Sequence, residues 1–222
     1  MQSKVLYDGF NPDLLPLIPV AAKRVVEVGC STGALGREYR KLYPGCDYIG
    51  IELNPESAAL AKERCSRVIC SAIEDLGEED FQALFPADCW IFGDVLEHLV
   101  DPWATLKRVR ALMAPESFLV ACIPNAQHWS VQVRLVSGGF RYEDAGLLDR
   151  THLRWFTRTT IIELFDSTGF RIVNARPKIF DEPMAERALQ GIRAFAQALG
   201  TDPDSAARDA LPYQWLIRVV PA

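Results

Sequence analysis

Three carboxylates in this 222-residue chain stand where a charge is costly. Glu27 interrupts Val25-Val26-Glu27-Val28, Glu52 closes Asp47-Tyr48-Ile49-Gly50-Ile51, and Asp94 follows Trp90-Ile91-Phe92-Gly93. Each lies in or at the end of a short apolar run, and an acid buried there needs a partner. For Glu27 that partner is a ligand amine or hydroxyl, or a backbone amide. Glu52 follows the turn after Glu27 at a separation near the about 20 residues at which dinucleotide-type folds place an acid on ribose hydroxyls. Asp94 falls where ligands bind in open α/β sheets, just past a central strand end. The turn Val28-Gly29-Cys30-Ser31-Thr32-Gly33 is not G-x-G-x-x-G, because Ser31 and Ala34 occupy two of the glycine positions. A pyrophosphate would lose part of its backbone cradle. The indicated ligand is a nucleoside without phosphates.

These acids need rigid carriers. Val25, Val26 and Val28 form the β-branched run of a parallel strand covered on both faces. Gly29 permits the sharp turn, and Gly33 permits the next helix to approach a ligand or the strand itself. That helix, Gly33 to Tyr43, carries Leu35, Tyr39 and Leu42 on one face and points its free N–H groups at the ligand. Asn54-Pro55 opens a second helix reaching about Arg64. Further strands are expected over 67–70, 87–92, 118–123, 170–175 and 213–220. Further helices are expected after Asp101-Pro102 (Trp103, Leu106, Val109 and Leu112 facing the core), over 129–135, from Thr157 or Thr159 through Ile161, Ile162, Leu164 and Phe165 to Gly169, and over 182–199. Gly200 to Asp204 reads as a turn. Residues 1–22, with Pro12, Pro16 and Pro19 among leucines, read as a lead-in against the sheet; Tyr7 and Phe10 are plain packing or a cover over a ligand.

Composition narrows the class. Hydrophobic residues at 49% and charged residues at 24% are an ordinary globular balance. A net charge of -5 argues against a nucleic-acid surface. The six cysteines contain no C-x-x-C pair and read as reduced core thiols of a cytoplasmic protein, with no metal expected. Met1 to Asp8 is polar and mixed, unlike a signal peptide, and no apolar run reaches the roughly 18 residues of a membrane span.

Val-Glu-Val-Gly-Cys-Ser-Thr-Gly, the acid at Glu52, and Phe92-Gly93-Asp94-Val95-Leu96-Glu97-His98-Leu99 together resemble class I S-adenosylmethionine-dependent methyltransferases over roughly residues 20–180. The resemblance implies an α/β, Rossmann-like, seven-stranded and mostly parallel sheet with helices on both faces and an antiparallel terminal strand beside the fifth. It implies S-adenosylmethionine as cofactor and S-adenosylhomocysteine as product. The contact set it implies is Glu27, Gly29, Cys30, Ser31, Gly33, Glu52, Leu53, Ile73, Glu74, Asp94, Val95 and His98. The adenine-binding acid of many relatives falls on Ala72, which leaves the Ile73 backbone or Glu74. His98 reads either as a contact near the transferred methyl or as a hydrogen-bonded helix-start histidine.

Residues 124–157 are too rich in charge and aromatics for a linker and read as an acceptor-side lid or insertion within a single 1–222 domain. Methyl transfer from a sulfonium needs alignment, exclusion of water and, for a hydroxyl acceptor, one base. With three histidines in the chain, His152 is the first candidate and His128 the second. Asn125, Trp129, Arg150 and Arg154 are the substrate-binding candidates, the arginines suiting an anionic group. Trp129, Phe140, Tyr142, Trp155 and Phe156 form either an apolar or sugar-stacking wall or a cover over the sheet edge.

The block from Ile123-Pro124-Asn125 to Thr157 looks like small methyltransferases of polysaccharide, O-antigen and sugar-tailoring pathways, and is similar to methionine-biosynthesis proteins of this fold. The resemblance implies O-methylation of a sugar, sugar nucleotide or small metabolite. Alternatives are a non-catalytic partner protein, a quinone-pathway O-methyltransferase and a nicotinamide-dependent oxidoreductase. Terminal-strand or helix faces could support a homodimer.

Overall fold

A computed structural model describes residues 8–222; Tyr7 lies outside them. Strands β1 (Arg24–Val28), β2 (Asp47–Ile51), β3 (Arg67–Ile69), β4 (Cys89–Gly93), β5 (Phe118–Pro124), β6 (Phe170–Lys178) and β7 (Gln214–Pro221) form one sheet in the order β3-β2-β1-β4-β5-β7-β6. The pairs from β3 to β5 are parallel, whereas β7 runs antiparallel to both β5 and β6. This is the seven-stranded Rossmann-like sheet with an antiparallel terminal strand that the sequence predicts. Winding outward from β1 in two directions opens a crevice at the carboxyl ends of β1 and β4, the place where such sheets bind ligands.

Both faces are covered, which is why the central strands are apolar throughout. Val26, Trp90 and Phe92 point into one core with Leu106, Leu164 and Phe165. Val25, Cys89 and Ile91, one residue out of phase, point into the other with Leu35, Tyr39 and Tyr48. The helices are α1 (Ala34–Leu42), α2 (Pro55–Ala61), α3 (Glu78–Gln82), α4 (Pro102–Leu112), α5 (Trp129–Val136), α6 (Arg158–Ser167), α7 (Ala185–Ala198) and α8 (Pro203–Ala210). Asn54 caps α2 by accepting the Glu56 and Ser57 amides, and Asp101 caps α4 through Ala104. Thr157 and Thr160 cap each other reciprocally at α6. A short 3-10 turn, Pro12–Leu17, inserts Leu14 and Leu17 against the sheet.

Several expectations are corrected. Trp103 and Leu112 are at least one-third exposed rather than in the core. On α4 the buried stripe is Thr105, Leu106 and Val109, and Met113, where the chain leaves the helix, fills the space expected for Leu112. The thiols are free and five are buried, but Cys70 is exposed. Helices α3 and α8 were not expected. Asp202-Pro203 supplies the cap and first turn of α8, a signal hidden by the neighbouring glycine turn.

The stripe on α4 gives a direct check. Leu106→Ala removes a fully buried side chain and is expected to cost about 2–5 kcal/mol in urea unfolding. Leu112→Ala, 40% exposed, is expected to stay within about 0.5 kcal/mol of the parent.

Candidate functional site

The crevice holds two cavities that share Gly29, Asp94 and His98. The first, ≈ 440 Å³, is lined by Glu52, Leu53, Ile73, Glu74, Val95 and Leu99 among others. Gly29 is its floor. Its φ of 68° is left-handed, and an added Cβ would lie 2.5 Å from Val95 Cγ2, so only glycine fits. Glu52 is fixed from two sides: Oε2 accepts the Ser31 amide at 2.8 Å and Oε1 the Asn54 amide at 2.7 Å. Each oxygen retains a second lone pair, the acceptor set that a ribose diol requires. Ile73, Val95 and Leu99 supply an apolar slot beside it. Glu74 lines this cavity but its carboxylate also accepts the Val100 and Asp101 amides, fixing the start of α4. Gly33 is displaced from the expected role. It lies outside both cavities, where its hydrogen faces Ala61 and Cys65 at the end of α2.

The second cavity, ≈ 430 Å³, is lined by Phe10, Glu27, Cys30, Ser31, Glu97 and His152, among others. Among the described residues its wall carries four carboxylates, Glu27, Asp94, Glu97 and Asp149, and no lysine or arginine. Such a wall favours a cationic ligand. Burial holds the Glu27 carboxyl well above the usual carboxylate range, and only the Tyr48 hydroxyl, donating at 2.9 Å, works against that. Asp94, also raised by burial, sits at a left-handed φ of 57° and accepts the Gln214 side-chain amide. Such strain at a ligand crevice persists only where the surroundings impose it.

Glu97 is the least expected member. It is 1% exposed, neither carboxylate oxygen has a side-chain hydrogen-bond partner, and burial, reinforced by Asp94 and opposed only by its own backbone amide, pushes its carboxyl well up. Its own backbone explains its company: the Glu97 carbonyl accepts the amides of Leu153 at 2.8 Å and Arg154 at 2.9 Å. That pairing brings the distant 150s loop onto the turn after β4. There His152 meets His98 edge-on, with ring centres 4.7 Å apart. His152 Nε2 stands 4.0 Å from Glu97 Oε1, and His98 Nδ1 lies 3.1 Å from the carbonyl and hydroxyl of Thr151. Burial, then the neighbouring His98, lowers the His152 pKa.

The remaining acceptor-side expectations are corrected. His128 is 2% exposed, outside both cavities, and caps α5 through Ser130. Asn125 is fully buried; its amide donates to the Asp209 and Pro212 carbonyls and its oxygen accepts the Gln127 amide. Trp129 packs with Ala185, Leu189, Ala207 and Ala210 beneath α7 and α8. Arg150 pairs with Asp144 at 2.8 Å on the surface. Arg154 donates to the Val100 carbonyl and clamps the loop instead of reaching a ligand. Phe140 and Trp155 fold the loop on itself with Val131, Leu147 and Leu148, while Phe156 is core and Tyr142 exposed. Asp149, a polar candidate of the 141–157 segment, lines the cavity, as do Leu147, Tyr213 and Gln214, which were not expected. No metal was expected either, yet Glu97, His98 and His152 present ligand atoms within 4.8 Å of one another. The Glu97-His98 pair three residues after Asp94 was the sequence signal for this.

Comparisons with known proteins identify the family and the fold. A family model for a methyltransferase domain matches residues 7–175. A ubiquinone biosynthesis O-methyltransferase of Rhodopseudomonas palustris is 27% identical over 186 residues, 80% of this chain and 70% of the relative. A Thermotoga maritima structure, described as an S-adenosylmethionine-dependent methyltransferase and possible histamine N-methyltransferase, superposes with a TM-score of 0.62 at 15% identity, covering 95% of this chain and 87% of that one. An O-methyltransferase of neocarzinostatin biosynthesis, bound to S-adenosylhomocysteine and 1,4-dihydroxy-2-naphthoic acid, gives 0.56 at 13%, covering 94% of this chain and 52% of that one. At these identities the two structures establish the shared fold.

The reassignment of His128 predicts an acid limb in stability. Burial lowers its pKa from 6.5 to about 4, so between those values the unfolded chain holds a proton that the folded chain does not. Its contribution is complete above pH 6.5 and is lost as pH falls towards 4. His128→Asn, which keeps a capping oxygen, is expected to flatten the dependence of urea stability on pH across that window.

Proposed function

The chain belongs to the methyltransferase-domain family, and we propose that it transfers a methyl group from S-adenosylmethionine to a hydroxyl oxygen of a small molecule. The observation that carries this reading is the pair of joined cavities. One offers a fixed carboxylate and an apolar slot, which suits adenosine; the other is rich in acid and free of lysine and arginine among the described residues, which suits a sulfonium and an ammonium. Bound there, the cofactor supplies an electrophilic methyl carbon on sulfur. Glu52 would hold the ribose, the Ile73, Val95 and Leu99 side chains the adenine, and Glu27 and Asp94 the cationic end. The acceptor oxygen bonds to the methyl carbon as the carbon–sulfur bond breaks, the sulfonium becomes a thioether, and the hydroxyl proton must leave. The Glu97, His98 and His152 cluster faces that end of the cavity and is assigned to the acceptor hydroxyl. Residues 124–157 would cover this side of a single 1–222 domain, with 1–22 as its lead-in.

Two observations favour a neutral hydroxylated ring, of the kind quinone pathways methylate, over an anionic sugar derivative. Arg150 and Arg154 lie away from the cavity, and the curated relatives are ubiquinone biosynthesis O-methyltransferases. A neutral sugar is the second candidate. The reading includes a cytoplasmic location, supported by the free thiols; no helix of the described residues is long and apolar enough to cross a membrane.

The test is incubation with S-adenosylmethionine and a panel of dihydroxybenzenes, dihydroxybenzoates, sugars and sugar nucleotides, read by mass spectrometry. One added methyl on a dihydroxy-aromatic, with an equivalent of S-adenosylhomocysteine, is expected, and His152→Ala is expected to lose at least tenfold in rate. Methylation of a sugar alone would move the acceptor assignment. Absence of turnover on the whole panel, with S-adenosylhomocysteine still binding, would favour a non-catalytic partner protein.

A further inference from the structure

Glu97 poses a problem that the assigned function leaves open. A carboxylate buried to 1% exposure with no side-chain donor on either oxygen is strongly disfavoured unless a proton or a cation accompanies it. A proton would neutralise the group but would leave both oxygens without a side-chain partner. The closest basic atom, His152 Nε2, is 4.0 Å from Glu97 Oε1, too far for a hydrogen bond, and among the described residues no lysine or arginine is paired with Glu97.

The two histidines are held from behind. His98 Nδ1 is engaged by the carbonyl and hydroxyl of Thr151 at 3.1 Å, which leaves Nε2 as its free nitrogen. The Thr151 hydroxyl is itself anchored on Asp149 at 2.6 Å. The His152 ring is hydrogen-bonded to the Leu147 backbone, and its Nε2 is the atom turned towards Glu97. An imidazole whose outer nitrogen is tied to a carbonyl presents a lone pair on the inner one, the usual preparation of a histidine for a metal. One ring nitrogen of each histidine and a carboxylate oxygen of Glu97 lie within 4.8 Å of one another. Ligands about 2.0–2.2 Å from a shared ion lie within roughly 4.3 Å of each other, so a small contraction closes the set.

We propose that Glu97, His98 and His152 form a divalent cation site at the acceptor end of the crevice, and that the bound cation chelates two adjacent oxygens of the acceptor. Two imidazoles and one carboxylate suit a first-row transition ion such as manganese, cobalt or zinc better than magnesium or calcium. Three protein ligands leave positions open, and all three residues line the cavity that also contains Glu27, Ser31 and Asp94. The open positions therefore face the place assigned to the methyl group. A cation there lowers the pKa of a coordinated hydroxyl, so that its proton passes to solvent water as the acceptor binds, and His152 serves as a ligand instead of a base. The cation site stands on the cluster alone; the chelating role rests on the O-methyltransferase reading, and it narrows the acceptor to a vicinal diol, aromatic or sugar-borne.

The experiment uses the untagged full chain stripped with a chelator, titrated with cobalt(II) and followed by visible absorption, with elemental analysis for stoichiometry and S-adenosylhomocysteine binding measured in parallel. One cobalt per chain with a ligand-field band is expected. Glu97→Gln and His152→Gln, shown folded by thermal unfolding and by S-adenosylhomocysteine binding, should each weaken cobalt binding at least tenfold. A catechol or a sugar cis-diol should then shift the band, identifying the source, and a monophenol should not. No band in a wild type that still binds S-adenosylhomocysteine overturns the cation site and leaves the proposed function standing. A band unchanged in both variants overturns the assignment of the ligands. A band that no diol perturbs overturns the chelating role, and failure of the wild type to bind either ligand overturns both readings.

Discussion

A carboxylate withdrawn from water must find a donor, a proton or a cation, and the crevice of this protein gathers four around one cavity. The way each is balanced defines the site. Glu27 has the Tyr48 hydroxyl, Asp94 the Gln214 amide, and Asp149 the amide and hydroxyl of Thr151. Among the described residues, Glu97 has only its own backbone amide and, at 4.0 Å, His152 Nε2. A cavity wall of this composition draws cations, which is the common thread between a sulfonium cofactor and the proposed metal ion.

The sheet makes this concentration of charge tolerable. Strands β1 and β4 are buried on both faces, so their apolar packing carries the fold while their carboxyl ends are free to hold polar groups. The turn after β1 uses Gly29 to let Val95 approach, and the Ser31 amide it presents fixes Glu52 at the end of β2. Closure from the other side comes through backbone: the Glu97 carbonyl takes the Leu153 and Arg154 amides, and the Arg154 guanidinium locks onto Val100. Residues more than 50 positions apart in sequence thus build one end of the cavity, and they do so without spending side-chain donors on Glu97.

What the sequence revealed follows from this division. Glu27, Gly29, Glu52 and Asp94 were legible because a central strand needs an unbroken apolar run, so an acid or glycine at its end stands out. The seven-stranded, mostly parallel sheet and the antiparallel β7 beside β5 followed from the same runs and the family resemblance. The 124–157 segment was not legible, because arginine, asparagine and tryptophan serve equally well as ligand contacts or as fasteners, and only the fold decides. Asn125 satisfies the carbonyls ahead of β7, Trp129 fills the space under α8, and both arginines face outward or onto backbone. Glu97 was missed for the opposite reason. It stands inside the Phe92–Leu99 motif with no role of its own, and its burial comes from a loop that returns from the 150s.

The central claim, that the β1 and β2 ends form an adenosine site anchored by Glu52, is tested most directly by calorimetric titration of S-adenosylhomocysteine into the wild type and into Glu52→Ala. The account predicts micromolar-range binding, about -8 kcal/mol, that weakens sharply in the variant while the variant remains folded. Absence of binding to the wild type, or equal affinity in the two proteins, would contradict it.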